Sequence, residues 1–310
     1  MIVLIAVEET AEDIKSLKIQ GATSVATHAV KALRSDLQEL GNVGRDQVEK
    51  SLKDGIKVLI ETRETEPMMR NGLRYMENRI GQGKWDNREQ FRELVKDSSE
   101  TILNMYAEAK EKFTEIGSRR ILEGITVLSH CHSSSVSQTL LKAKKRGVDF
   151  KVIITETRPK FQGRITAREL TDAGIETTMI VDSAARYFMK DADIVMVGCD
   201  AITSEGNVIN KIGTSQVALS AHEARIPFYV LTTLLKFDPV TIHGEFEVIE
   251  ERSIGEIWED PPEELIIRNP AFDITKRDYI HGIISEVGII SPHSILDAIH
   301  RDYRWIVKRD

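Results

Sequence analysis

The stretch LSHCHSSSVSQ, residues 128–138, places a thiol and a row of hydroxyls where an apolar run ends. Cys131 follows that run, and Ser133, Ser134 and Ser135 come just before the apolar pattern of a helix. Free backbone amides and the positive end of a helix dipole favour an anion at such a point, either a cysteine thiolate or a bound phosphate. The same field can lower the pKa of the thiol. The alternative is a buried, inert Cys131 beside serines that only cap the helix.

Two histidines, His130 and His132, flank Cys131 and raise the question of a metal site. Alternate positions of a strand share one face, which excludes the cysteine between them. The sequence contains no second group of ligands with zinc spacing. We therefore predict no metal site and expect the histidines to serve in packing or in support of neighbouring site residues.

A second polar cluster, VGCDAITSEGNVINKIGT, covers residues 197–214. Asp200 follows an apolar run and should project from the same sheet edge as Cys131. A carboxyl group kept protonated in such a cleft can act as an acid, although an Asp in a Gly-rich and Ser-rich loop can also simply cap a turn. Asn210 and Lys211 precede the start of another helix at Gly213, where an ammonium and free amides could hold a phosphate.

These residues need elements that bring them together. From about residue 8 to 120, apolar residues recur at helical spacing, and from residue 121 onward short apolar runs alternate with helical patterns. The strand candidates are ITVLSH, KVIIT, TTMIV, DIVMVG and PFYVLT. The order predicts an α/β protein with a helical N-terminal domain, 1–120, and a Rossmann-like, doubly wound parallel sheet domain, 121–310. Such sheets bind ligands where strand carboxyl ends meet helix amino ends.

Composition excludes several classes of protein. The net charge is -7, from 49 acidic and 42 basic residues among 310, which argues against partners such as nucleic acid or an anionic membrane. The opening run MIVLIAV has no preceding basic segment and is followed by Glu8 and Glu9, so it predicts neither a signal peptide nor a membrane span. Two distant cysteines, Cys131 and Cys199, favour a reducing cytoplasm over a disulfide scaffold.

Four separated blocks carry a family resemblance. They are CHSSSV, ETRPKFQGRITAREL (156–170), GCDAITSEGNVINKIGT (198–214) and NPAFDITKRDYI (269–280). Together they resemble the superfamily that joins initiation factor 2B regulatory subunits, methylthioribose-1-phosphate isomerases and archaeal ribose-1,5-bisphosphate isomerases. The segment KIQGATSVATHAV (18–30) is similar to the substrate-binding Gly-Ala turn of the isomerases, with Gln20 where they usually carry Arg.

The resemblance implies an aldose-ketose isomerase in which Cys131 is the base and Asp200 the acid. It also implies a set of substrate-binding residues, each with a structural alternative such as an ion pair, a helix break or a solvated loop: Gln20, Gly21, Ala22, Thr23, Arg63, Ser133, Ser134, Ser135, Asn210, Lys211 and Lys236. Arg158 is expected to fix its loop, because Pro159 after it forces an extended backbone. No cofactor is implied.

Within the superfamily, the surplus of candidate phosphate ligands favours a sugar with two phosphates. Arg63, Lys211 and Lys236 exceed the need of a methylthioribose phosphate, whose C5 group is an uncharged thioether. The resemblance therefore favours the ribose-1,5-bisphosphate isomerases of archaeal AMP degradation, which implies a homo-oligomer, a dimer or hexamer, with AMP as activator. The alternatives are a methylthioribose-1-phosphate isomerase and a non-catalytic regulatory subunit that senses a sugar phosphate or nucleotide.

Overall fold

The protein is described from a computed structural model that covers residues 4–40, 44–63, 65–245 and 248–308. Residues 1–3 of the opening run MIVLIAV lie outside the described residues, so the prediction for that run is checked only from Leu4 onward. The helices are α1 (Ile5–Lys15), α2 (Ala22–Glu39), α3 (Arg45–Ile60), α4 (Pro67–Gln82), α5 (Arg88–Ser118), α6 (Ser134–Lys145), α7 (Gly163–Asp172), α8 (Ala185–Phe188), α9 (Thr214–Ala224), α10 (Ile295–Asp302) and α11 (Arg304–Val307).

The strands begin after the fifth helix. They are β1 (Thr126–Ser129), β2 (Lys151–Thr155), β3 (Glu176–Ile180), β4 (Ile194–Val197), β5 (Ala201–Ile202), β6 (Val208–Lys211), β7 (Phe228–Leu231), β8 (Phe272–Thr275), β9 (Gly282–Ser285) and β10 (Gly288–Ile290). All five predicted strands are present, as β1, β2, β3, β4 and β7. The pattern DSAARYFMK, predicted to be helical, forms one α-helical turn between two 3-10 turns.

Helical spacing of apolar residues explains the N-terminal region. Along α5, Val95, Ile102, Tyr106, Ala109 and Phe113 are buried, as expected for one face of a helix with 3.6 residues per turn. The predicted helical character of residues 8–120 is therefore confirmed for the described part of that segment.

A seven-stranded sheet follows, in the order β10-β9-β7-β4-β1-β2-β3. Its neighbours are parallel except for the antiparallel pair of β9 and β10. Chain order moves outward from β1 to β3 on one side and then returns to place β4 on the other side of β1. The reversal creates a crevice at the carboxyl ends of β1 and β4, where doubly wound sheets bind ligands. The predicted fold class is confirmed.

A smaller antiparallel sheet, β5-β6-β8, combines two strands that follow β4 with β8, which comes after β7 in the chain. Two segments extend its edge: Glu251 bridges Pro270, the amide of Arg252 donates to the Asn269 carbonyl over 2.9 Å, and the Ala271 amide donates to the Glu250 carbonyl over 2.8 Å. We call residues 250–252 and 269–271 the ladder. Residues 269–271 run directly into β8, and the hydrogen bonds between the two segments fix residues 250–252 beside them.

The hydrophobic core connects the helices to the sheet. One cluster of buried side chains includes Leu33 of α2 and Leu73 of α4 together with Leu128 of β1 and Val195 of β4. A second cluster covers the other face of the sheet, where Phe113 of α5 meets apolar residues of the sheet and of α6. None of the helices in the described ranges combines the length and the apolar character needed to cross a bilayer.

Candidate active site

A cavity of about 510 Å³ opens at the carboxyl edge of β1 and β4. This volume lies in the range of about 300–1,000 Å³ that small-molecule sites usually have. Every substrate-binding and catalytic residue predicted from the sequence lines it: Gln20, Gly21, Ala22, Thr23, Arg63, Cys131, Ser133, Ser134, Ser135, Asp200, Asn210, Lys211 and Lys236. Segments more than 200 residues apart in sequence thus meet at the point where the strand order reverses.

Cys131 is held at the end of β1 in a backbone conformation that side chains rarely adopt. Its φ is +67°, and such left-handed geometry costs a non-glycine residue about 1–3 kcal/mol unless its surroundings enforce it. Two threonines do so, because the Cys131 amide donates to Thr157 Oγ1 over 3.0 Å and Thr166 Oγ1 donates to the Cys131 carbonyl over 3.3 Å. The strain aims a specific residue at the cavity, as is common in active sites.

Two helices begin at the cavity wall. Ser133 precedes α6 and Gly21, with φ +81°, precedes α2. Among the described residues no side chain caps either helix, and neither first turn carries an acidic residue. The serines are therefore not the ordinary cap that was the alternative. Two helix amino ends with free amides form sites that suit anions.

Asp200 reaches the cavity three residues beyond β4. Its amide donates to the Ile209 carbonyl over 2.8 Å, which ties the loop to β6. The preceding Gly198 allows the close approach of the two motifs, since a Cβ added there would lie 2.4 Å from Ser133 Oγ and 2.8 Å from Ser133 Cβ. Glycine is thus required where the Asp200 loop passes the start of α6.

Lys211 and Arg63 are placed around one aromatic ring. Lys211 Nζ lies 5.1 Å and the Arg63 guanidinium carbon 5.6 Å from the centre of the Phe272 ring, within the distance of a cation–π interaction. Phe272 begins β8 and lines the cavity. It thereby holds two cations, which come from distant parts of the chain, beside the same space.

The start of α9 differs from the sequence prediction. The expectation that free amides near Gly213 could hold a phosphate is wrong. The amides of Gly213 and Ser215 donate to the Asp273 carboxylate over 2.8 and 3.1 Å, and Ser215 Oγ adds a contact of 2.8 Å. Asp273, from β8, therefore occupies the anion site of this helix, and Lys211 reaches the cavity from β6.

Arg63 lines the cavity, as predicted for a substrate-binding residue, and it also forms the ion pairs that were its structural alternative. Its Nη1 lies 2.9 Å from Glu66 Oε1 and its Nε lies 3.6 Å from Glu250 Oε2. Glu66 is fully buried, and burial raises its pKa from 4.5 to about 7, against the opposing effect of Arg63. The guanidinium thus lines the cavity while it is anchored from behind.

Lys236 is buried, and its ammonium donates to the carbonyl of Cys199. The alternative of a solvated loop residue is therefore wrong. Cys131 and Cys199 are both free thiols. Burial raises the pKa of the Cys199 thiol to about 12, so this group is neutral at physiological pH.

The thiol of Cys131 does not follow the expectation of a lowered pKa. Burial raises its pKa to about 11, and the Lys211 ammonium lowers it only in part. Desolvation disfavours a thiolate more strongly here than the nearby helix end and lysine favour it. Cys131 is therefore a protonated thiol whose proton must leave before the sulfur can act as a base.

The two histidines support the site from behind. His130 is buried, with Nδ1 2.6 Å from Thr155 Oγ1 and Nε2 2.9 Å from the Ile212 carbonyl. Burial lowers its pKa, so the ring is neutral. His132 Nδ1 lies 3.0 Å from Thr166 Oγ1, the same hydroxyl that holds Cys131. His130 thus connects the end of β1 to β2 and to the residue after β6, and His132 connects it to α7. Arg158 fixes the loop after β2, as expected, because its amide donates to Asp182 and its guanidinium donates to the Ile257 carbonyl.

The structure adds lining residues that sequence reasoning did not single out: Leu17, Lys18, Ser24, Gln162, Ile165, Arg252, Ala271 and Phe272. Gln162 and Ile165 lie in the recognised block 156–170, and Phe272 lies in the block 269–280, so those blocks could have supplied them. Arg252 lies outside every block, and no signal in the sequence points to it.

A helical region followed by a doubly wound sheet, with a cation-lined cavity at its switch point, defines a Rossmann-like α/β protein with a small-molecule site. The chain belongs to the initiation factor 2 subunit family, whose sequence model matches residues 18–292.

Known proteins similar to this chain include enzymes. The ribose 1,5-bisphosphate isomerase of Methanocaldococcus jannaschii is 40% identical over 304 residues, which cover 97% of each chain. That of Archaeoglobus fulgidus is 41% identical over 289 residues, covering 92% of this chain and 89% of the relative.

Solved structures agree with the fold. The translation initiation factor eIF-2B of Pyrococcus horikoshii has a TM-score of 0.80 at 31% identity, covering 92% of this chain and 97% of that chain. The 5-methylthioribose 1-phosphate isomerase of the same organism has a TM-score of 0.78 at 27% identity, covering 95% and 87%.

Proposed function

We propose that this protein is a ribose 1,5-bisphosphate isomerase that forms ribulose 1,5-bisphosphate, with Cys131 as base and Asp200 as acid. The observation that carries the proposal is a single cavity that brings Cys131 and Asp200 together with cationic side chains and two helix amino ends. Relatives of that name at 40 and 41% identity support the assignment of the substrate.

The substrate explains why both an acid and a base are needed. A phosphate on the anomeric oxygen blocks the ordinary opening of a hemiacetal ring. Asp200 donates a proton to the ring oxygen while Cys131 removes the proton on C2, so that the C2–H electrons form a C1–C2 double bond as the bond between C1 and the ring oxygen breaks.

The second half of the reaction returns both groups to their starting state. The Asp200 carboxylate takes the proton of the C2 hydroxyl, a carbonyl forms at C2, and the Cys131 thiol gives a proton to C1. The product is the ketose with both phosphates retained. The pair therefore works in the state with the proton on Asp200 and the thiolate on Cys131, which the Lys211 ammonium stabilises.

The remaining residues hold the two ends of the sugar. The amides at the start of α2, at Gly21, and at the start of α6, at Ser134, suit one phosphate each. Arg63, Lys211 and Lys236 add charge-assisted hydrogen bonds. A substrate that fills the cavity displaces water, which strengthens these contacts and protects the enol intermediate.

The two isomerase activities are separated by a direct comparison of substrates. We expect the protein to convert ribose 1,5-bisphosphate at least about a hundredfold faster, by kcat/KM, than methylthioribose 1-phosphate, because an uncharged thioether cannot make the charge-assisted contacts that a phosphate makes with the cavity cations. Comparable rates would contradict the choice of substrate.

A regulatory subunit is the second candidate function, favoured by the similarity to the eIF-2B structure at TM-score 0.80. Such a protein binds a sugar phosphate or nucleotide without turnover. The same assay decides: a protein that binds ribulose 1,5-bisphosphate but converts neither sugar phosphate is a sensor.

A homo-oligomer, a dimer or hexamer, activation by AMP and a location in the cytoplasm form the finer part of the proposal, and they rest on the resemblance. Light scattering at two protein concentrations measures the assembly. A titration of the isomerase assay with AMP, with GMP as the matched control, measures the activation.

A further inference from the structure

Arg252 lines the cavity from an ordered position. Its backbone belongs to the ladder, so the residue is fixed relative to β8 and to Phe272. Its side chain is 17% exposed and pairs with Glu250 through Nη1 and with Glu256 through Nη2, the latter over 3.6 Å. The guanidinium is thus largely immobilised before any ligand binds, which reduces the entropic cost of a contact.

Glu250 joins Arg252 to Arg63. Arg252 contacts Oε1 of this carboxylate and Arg63 Nε lies 3.6 Å from Oε2. Both guanidiniums line the cavity. Two arginines that reach the two oxygens of one carboxylate are close enough to reach two oxygens of one phosphate group, for which the planar fork of arginine is suited.

Gln20 is an uncharged residue that lines the same cavity as Arg63 and Arg252. Gln20 and Arg252 line the main cavity and also a small adjoining pocket, together with Gln162 and Lys211. Gln20 Nε2 donates to the Leu17 carbonyl over 2.6 Å, and an amide supplies no charge. The positive charge around Gln20 therefore comes from other residues that line the same two pockets, among them Arg252 and Lys211.

We propose that Arg252, with Arg63, binds one phosphate of the substrate and supplies the charge that Gln20 lacks, so that Arg252 determines the preference for a sugar with two phosphates. The inference rests on the proposed function for the identity of the sugar. Glu250 acts as a positioning residue that sets the spacing of the two guanidiniums.

The test uses the full chain and four variants. Isothermal titration with ribulose 1,5-bisphosphate measures affinity, and the isomerase assay measures kcat and KM for ribose 1,5-bisphosphate. The variants are R252Q, R252K, the double variant Q20R/R252Q and the matched control R268Q. Arg268 pairs with Glu251 of the ladder, and its side chain is 76% exposed. R268Q therefore removes an arginine that contacts the ladder but does not line the cavity.

Loss of a charge-assisted contact should weaken binding of the bisphosphate by about tenfold to a hundredfold in R252Q, with a matching rise in KM and kcat within about threefold of the unsubstituted protein. R252K should bind the bisphosphate more tightly than R252Q but less tightly than the unsubstituted protein. Q20R/R252Q should also bind it more tightly than R252Q. R268Q should match the unsubstituted protein. Circular dichroism confirms that each variant is folded.

Three results would overturn the inference: R252Q binding within twofold of the unsubstituted protein, equal losses in R252Q and R268Q, or no recovery in either R252K or Q20R/R252Q. The two proposals fail separately. An inert protein that binds the bisphosphate through Arg252 refutes only the proposed function, and an active protein indifferent to R252Q refutes only the role of Arg252. If the unsubstituted protein does not bind the bisphosphate, both are refuted.

Discussion

Cys131 shows how burial competes with charge at a single residue. The end of β1 fixes its backbone at φ +67°, and burial raises the pKa of the thiol to about 11 although Lys211 is near. The consequence is a base that holds its proton at physiological pH. Its reactivity therefore reports directly on its surroundings.

Alkylation of Cys131 by iodoacetamide, followed by peptide mass spectrometry, measures this state. We expect the rate to rise about tenfold per pH unit from pH 7 to pH 9, whereas an ordinary thiol with a pKa of about 8.5 levels off near pH 9. K211Q should slow the reaction at each pH, because the lysine lowers the thiol pKa. K53Q, on the exposed face of α3, is the control. A plateau near pH 7 would mean that the thiolate is already present.

Glu66 makes a pH-dependent contribution to stability. Its pKa is raised from 4.5 to about 7 by burial, so the folded chain keeps this proton where the unfolded chain loses it. The contribution is complete below pH 4.5 and is lost as the pH rises through about 7. E66Q, which cannot ionise, should therefore gain stability relative to the unsubstituted protein as the pH increases from 5 to 8.

Urea unfolding at fixed protein concentration measures this difference. E61Q is the matched control, because the Glu61 side chain is 60% exposed, and its curve should run parallel to that of the unsubstituted protein. An E66Q curve that also runs parallel, or one that falls behind with rising pH, would refute the assignment.

At the scale of elements, strand ends and helix starts account for most of the site. Cys131 and Asp200 could be predicted because each follows an apolar run, and parallel strands bring their carboxyl ends to one edge. The adjacency of β1 and β4 could not be predicted, since strand order depends on tertiary packing. The same limit applies to Arg252, whose ladder has no periodic pattern, and to Asp273, which caps α9 from another strand.

Gly198 tests the contact between the Asp200 loop and α6. In G198A the new methyl group would meet Ser133 at 2.4 and 2.8 Å, so the start of the helix or the loop must move. We expect a loss of about 1–3 kcal/mol in the free energy of unfolding and at least a tenfold loss in kcat/KM, because Asp200 moves away from Ser133 at the start of α6. G81A is the matched control, since a Cβ at Gly81 of α4 meets nothing within 4 Å. Equal kinetics for G198A and G81A would contradict this role for the glycine.

At the scale of the whole molecule, the division at residue 120 stays a prediction. A buried cluster that runs from α2 and α4 into β1 and β4 joins the two proposed domains. We therefore expect calorimetry to record one cooperative unfolding transition at fixed protein concentration. Two separate transitions, with the cavity ligand shifting only one, would mean that the helical region and the sheet unfold independently.

The family could be predicted from four short blocks, of which three follow β1, β2 and β4 at the carboxyl edge of the seven-stranded sheet and the fourth contains β8 of the smaller sheet. The fold could be predicted from the alternation of apolar runs with helical patterns. The raised pKa of the Cys131 thiol could not be predicted, because it depends on burial by the whole folded chain. The burial of Glu66 could not be predicted either, because its acidic stretch of sequence resembles a solvated loop. The sequence thus predicts which residues form the site, whereas their pKa values depend on burial in the folded chain.

The central claim is that Cys131 and Asp200 act together as base and acid in one cavity. The most direct measurement is kcat for ribose 1,5-bisphosphate in C131S and D200N, with the affinity for ribulose 1,5-bisphosphate determined in parallel. We expect kcat to fall by about a hundredfold to ten-thousandfold in each variant, as for loss of a general acid or base, with Kd within about threefold of the unsubstituted protein. A variant that retains more than a tenth of the activity, or one that loses affinity and activity together, would contradict the account.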